Sequence, residues 1–231
     1  MRFDSPTRHL YGIGPDLMHI ASHKERLVSN TIAPRYQTEN GYLTQTTRKT
    51  YIKRAVEAGL LPPQARRMET ITSLQASHDP QMPIQFWQLF SVLGPEPIVG
   101  IVTEFYQRVF DDEPWFTSVF AQVGNLNHHI LTQASMWLDV MGGGPYYHGA
   151  EFRLNFHHVH NAHSLMNEKG ARQWVTLMVD ALEASGPLMG DDPRVRVSLN
   201  TFLAHFFAKY AQDFKFENRE TFGPINPPVP Q

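Results

Sequence analysis

Residues 98–110, IVGIVTEFYQRVF, carry Ile98, Val99, Val102, Phe105, Tyr106, Val109 and Phe110 at i, i+1, i+4, i+7, i+8, i+11 and i+12. Only a helix gathers such a set on one broad buried face. The segments around it obey the same period. Residues 84–93 are strongly apolar (Phe86, Trp87, Leu89, Phe90, Val92, Leu93) and stop at Gly94-Pro95, and Pro97 then stands in a first turn, where proline is tolerated. Residues 127–141 form the next helix, stopped by Gly142-Gly143-Gly144-Pro145. Asn167 reads as the N-cap of a helix over 168–185, whose stripe is Trp174, Leu177, Met178, Ala181 and Leu182. Asp191-Asp192-Pro193 opens a last helix over 194–214, with Val195, Leu199, Phe202, Leu203, Phe206 and Tyr210 inward. No two-residue alternation of useful length interrupts this series, so the expected fold class is all-α.

The flanks differ from this body. Residues 1–49 have little apolar periodicity and are rich in Thr, Asn, His, Gly and Pro; residues 50–59 and 63–76 suggest two short helices. Residues 217–231 carry four prolines and should be extended or disordered. The expected organisation is an irregular-to-helical extension over 1–82, a globular domain over 83–216 and a proline-rich tail over 217–231.

Composition narrows the chemistry. With 42% hydrophobic and 18% charged residues, the chain of 231 can bury a sizeable core. A net charge of −2 leaves no basic footprint for nucleic acid or an anionic membrane. The absence of cysteine excludes disulfides, zinc–thiolate sites, iron–sulfur clusters and thioether-linked haem. The N-terminal MRFDSPTRHLYGIG has no apolar run of signal-peptide length, and no stretch is apolar enough to span a bilayer. A cytoplasmic location is the resulting expectation.

Histidine is the residue out of place. Seven of the 12 lie between His128 and His163, and four of them (His157, His158, His160, His163) fall in EFRLNFHHVHNAH, residues 151–163. At helical spacing Phe152, Phe156, Val159, His160 and His163 share one face. A histidine ending an apolar stripe is ordinarily a hydrogen-bonded core residue. The same arrangement also suits the axial ligand of an iron held in a flat apolar cofactor. Two further helices put polar groups on apolar faces: Tyr106 in one, His129 and Gln133 beside Met136, Trp137 and Val140 in the other. Leaving such a group buried and unpaired costs roughly 1–3 kcal/mol. Either the groups bond their neighbours or they face a polar ligand.

Taken together, these parts resemble a truncated haemoglobin, most closely its group II branch, over roughly residues 85–214. The resemblance rests on LFSVLG (89–94), EFYQRVFDD (104–112), WFTSVF (115–120), MGGGPYY (141–147) and WVTLM (174–178). It implies a two-over-two helical sandwich holding haem b. Residue by residue, it makes Tyr106 the distal tyrosine and Phe120 the corner aromatic. His129 and Gln133 take the ligand-facing positions of the distal helix, Trp174 the pocket tryptophan and Tyr147 a cofactor-contacting tyrosine. The proximal iron ligand falls on His160, in agreement with the phenylalanine stripe. Two departures stand out: Val159 replaces the usual arginine, and His148-Gly149-Ala150-Glu151 replaces a Gly-His-Pro type loop. The stretch from His160 to Trp174 is also slightly longer than in the family. His158, on a face with Leu154, Ala162 and Leu165, is therefore a second candidate ligand.

The expected function is binding of dioxygen or another diatomic gas, with donors above the ligand slowing its escape. Nitric oxide dioxygenation or peroxide reduction in the same pocket is the enzymatic alternative; it would need a separate reductase, since none is encoded here. His129 as a sixth iron ligand is a further variant. A different class, a non-haem metal protein, would use His157, His160 and His163 with Glu151. Oligomeric state is left open by the sequence.

Overall fold

The structure, a computed structural model, describes residues 36–37, 53–54, 56–57, 74–114, 116, 126–144, 146–147, 167–218 and 221–226. A 3-10 turn, Phe86–Gln88, leads into α1, Leu89–Leu93. Then follow α2, Pro95–Phe110; α3, Leu126–Val140; and α4, Glu168–Ala184. The short α5, Gly186–Met189, and the long α6, Pro193–Phe214, complete the series. No β-strand occurs among the described residues, which are all-α as expected.

Helix ends follow the sequence closely. Asn167 accepts a hydrogen bond from the Gly170 N–H at 3.0 Å, and Asp192 accepts one from Arg194 at 3.0 Å, so both expected caps are made. The helix expected to begin around Pro97 begins instead at Pro95. Its first-turn N–H groups have no intrahelical partner, so two prolines fit where they would break an interior turn. Gly94, at φ +70, joins α1 to α2 by an angle that L-residues avoid. The Tyr36 ring occupies the space a Cβ there would need. Of the helix expected over 63–76, residues 74–76 are bend and coil, and the rest lies outside the described residues, as does segment 151–163.

The body is two helix pairs laid together. α2 packs against both α3 and α4. α6 closes the other side, with Phe202 against Trp137 of α3 (centroids 4.8 Å) and Phe207 stacked on Trp174 of α4 (5.8 Å, 22°). Aromatic rings dominate the centre: Phe86, Trp87, Phe105, Phe116, Phe202 and Phe207 are fully enclosed. His205 joins them as a ring rather than a charge. It stacks on Phe86 at 5.7 Å, and burial, helped by Arg54 and Lys209, pushes its pKa down to about 3.

The glycine turn after α3 lies under the beginning of the domain. The Gly143 N–H donates to the Leu138 carbonyl at 2.8 Å, and the Phe90 N–H donates to the Met141 carbonyl at 3.1 Å. Gly142 sits at φ +96, and a Cβ there would run into the Trp87 carbonyl. The segments outside the helices are anchored as well. Arg194 forks onto Asp192 and donates to the carbonyls of Ser77, Asp79 and Met82 at 3.3, 2.7 and 2.9 Å, fixing residues 77–82 to the start of α6. The tail returns to the body: Phe216, Phe222 and Asn226 are buried.

Gly142→Ala should therefore destabilise the protein by roughly 2–3 kcal/mol, combining a left-handed backbone with a backbone clash. Gly186→Ala, where a Cβ would meet nothing within 4 Å, should be close to neutral. Thermal unfolding of the two variants measures the difference, and equal melting points would contradict the turn's role.

Candidate functional site

The site grows out of α2. Its helical period places Phe105 and Tyr106 side by side on the buried face, with ring centroids 5.0 Å apart. Tyr106 is only 8% exposed. Across from it, α3 presents His129, whose ring meets Tyr106 edge to face at 4.7 Å and 90°. Gln133, one turn along the same face of α3, is half-buried. The two helices expected to supply distal polar groups therefore face one another, and Tyr106 and His129 touch.

Electrostatics fix the state of the tyrosine. Burial first, and then the neighbouring Tyr210 of α6, push the Tyr106 phenol above its ordinary value of 10.0. Tyr210 is raised likewise by burial, Tyr147 and Asp213. Tyr210 thus lies within electrostatic reach of both Tyr106 and Tyr147. Tyr147 is buried after the glycine turn. Tyr210 was legible only as an inward residue of the last helix; nothing in its spacing distinguished it from the phenylalanines before it.

Trp174 of α4 lies next to Phe105, with centroids 5.0 Å apart. Beside it, the Gln173 amide donates to the Asp112 carboxylate at 2.8 and 3.0 Å, linking α4 to the residues just after α2. The indole N–H makes no hydrogen bond among the described residues. Trp174 is brought to the edge of the Tyr106 pair, with Phe105 between them, rather than into ring contact with Tyr106 itself. Phe120, His160 and His158 lie outside the described residues, as does the ladder of His157, His160 and His163 with Glu151. Among the described residues no cluster of three or more His, Cys, Asp or Glu is arranged to hold a metal ion. No described helix is long and apolar enough to cross a membrane.

A neutral phenol, an imidazole, an amide and an indole on apolar aromatic walls form the donor set that a neutral or weakly anionic ligand needs.

Comparison with known proteins places the chain in a family. The pattern of the family described as bacterial-like globin matches residues 88–207. The chain is 28% identical over 135 residues to two-on-two hemoglobin-3 of Arabidopsis thaliana, covering 57% of this chain and 74% of that protein. It is 30% identical over 118 residues to group 2 truncated hemoglobin 3-1 of Lotus japonicus, covering 51% and 67% respectively. The chain belongs to the bacterial-like globin family and is a truncated haemoglobin. Membership carries a haem cofactor and the binding of diatomic gases with it.

In the unfolded chain Tyr106 ionises near 10, and in the folded chain only above that. Its contribution to stability is intact below about 10 and is lost as the pH rises further. An ultraviolet phenolate titration, differenced against Tyr106→Phe, should show Tyr106 still neutral after the exposed tyrosines have ionised at ~10. Ionisation together with the exposed set would place Tyr106 in water and outside a closed pocket.

Proposed function

We propose that this globin binds haem b through His160 and retains dioxygen, or another diatomic ligand, beneath Tyr106 with the help of Gln133, His129 and Trp174. The observation that carries the reading is the contact of buried Tyr106 with half-buried His129 across α2 and α3. Haem, when bound, would supply an iron able to take up a gas. The protein's own residues do the rest. A neutral Tyr106 offers an O–H to the ligand's polar outer atom across the working pH range, because burial keeps the phenol protonated. The Trp174 indole and the Gln133 amide are the further donors. Phe105, Trp137 and the neighbouring rings exclude water, which would otherwise compete for those donors.

Several donors around one ligand favour long retention, which suits sensing, scavenging or redox chemistry better than transport. On the proximal side the assignment rests on the phenylalanine stripe ending at His160 and on the family resemblance.

His160→Ala should abolish or greatly weaken haem binding, read from the Soret band of protein reconstituted with haem. A normal five-coordinate ferrous spectrum in that variant would move the iron ligand to His158 and overturn the assignment.

A further inference from the structure

We propose that Phe222, on the segment following α6, is a positioning residue for Trp174 and thereby sets how long a diatomic ligand stays in the pocket. The inference rests on the reading of Trp174 as a distal donor. Three rings enclose the half-buried indole. Phe105 of α2 lies at 5.0 Å and Phe207 of α6 stacks on it at 5.8 Å and 22°. The third is Phe222, which meets the indole edge-on at 5.9 Å and 89°. The first two belong to the helical body shared with the family. Phe222 lies beyond residues 88–207, the part of the chain that matches the globin pattern.

Phe222 is no loose end brushing the surface. It is 4% exposed and also packs edge-on to Phe207 at 5.6 Å, so one ring braces both Trp174 and the residue stacked on it. The segment is irregular, yet it is clasped by three hydrogen bonds, two of them to its backbone. The Asn200 amide donates to the Pro224 carbonyl at 2.9 Å. The Asn226 N–H donates to the Thr201 hydroxyl at 2.8 Å, and the Asn226 amide donates to the Ile84 carbonyl at 2.7 Å. Gly223, at φ +116, lets the chain pass close over Asn200, where a Cβ would come within 2.9 Å of the amide nitrogen. Arg196 ties the clasp back to the tryptophan's own helix: its guanidinium donates to the Asn200 side-chain Oδ1 at 3.0 Å and pairs with Glu183 of α4 at 2.9 Å.

A helical tryptophan has a small set of staggered side-chain orientations. With rings on three sides, one of them is selected. Removing the third ring releases the indole to its other orientations. A hydrogen bond to a small ligand weakens steeply with distance and angle, so even a modest swing shortens ligand residence.

The test uses the full chain reconstituted with haem, together with its haem-free form. In Phe222→Ala the dioxygen dissociation rate should rise about three- to tenfold. Phe222→Leu, which keeps most of the bulk, should give an intermediate rise and guards against a folding defect in the alanine variant. Phe222→Tyr should restore the wild-type rate. The double variant Phe222→Ala/Trp174→Phe should be no faster than Trp174→Phe alone, because both changes remove the same interaction. In the haem-free protein, the Trp174 emission (wild type minus Trp174→Phe) should shift to the red in Phe222→Ala. Unchanged emission, or rate effects that multiply in the double variant, would overturn the positioning role. If Trp174→Phe itself leaves dissociation unchanged, Trp174 is no donor, and this inference falls together with that part of the pocket. If Trp174→Phe accelerates dissociation while Phe222→Ala does not, the positioning inference alone falls.

Discussion

The account depends on the burial of one face of α2. That helix is covered on both sides, by α3 and α4, and its aromatic pair Phe105–Tyr106 is the point where the two packings meet. Tyr106 turns toward the imidazole of α3, and Phe105 toward the indole of α4. Two adjacent residues on a helix lie about 100° apart, so a tyrosine following a phenylalanine addresses two different neighbours. The same desolvation that packs the helix keeps the phenol protonated. Packing and chemistry come from a single arrangement.

Much of this was legible in the sequence, for identifiable reasons. Helices 98–110 and 194–214 announce themselves by period, and Asn167 and Asp192 by the physics of orphan N–H groups at a helix start. A tyrosine and a histidine on the apolar faces of successive helices had to be paired or functional, and the structure brings Tyr106 and His129 into contact. What stayed hidden depends on contacts between residues far apart in the chain. Nothing local shows that Asn226 will donate to Ile84, 142 residues away, or that Phe222 will brace Trp174. Proline-rich sequence without periodicity reads as extended or disordered because irregular backbone is fixed by long-range partners, and no local rule names those partners. The cluster of Tyr106, Tyr210 and Tyr147 was hidden in the same way, since it joins three separate elements.

Described residues of both flanks contact the helical body. Tyr36 fills the space over Gly94, and its N–H donates to the Ser91 carbonyl at 3.3 Å. Arg54 reaches Gln212 near the end of α6 at 3.3 Å. Arg194 gathers three carbonyls of residues 77–82. A surface contact of this kind contributes little by itself, but a buried, fully hydrogen-bonded clasp such as Asn200–Pro224 with Asn226–Thr201 resists opening, because separation would leave buried amides unpaired.

The central claim, that a protonated Tyr106 holds the gas, is tested most directly by the dioxygen dissociation rate of the haem-loaded protein measured with and without that hydroxyl. In Tyr106→Phe the ring and its packing remain and only the donor is lost; the account predicts release roughly tenfold to a hundredfold faster, the equivalent of about 1.5–3 kcal/mol. A rate equal to that of the unaltered protein would contradict it.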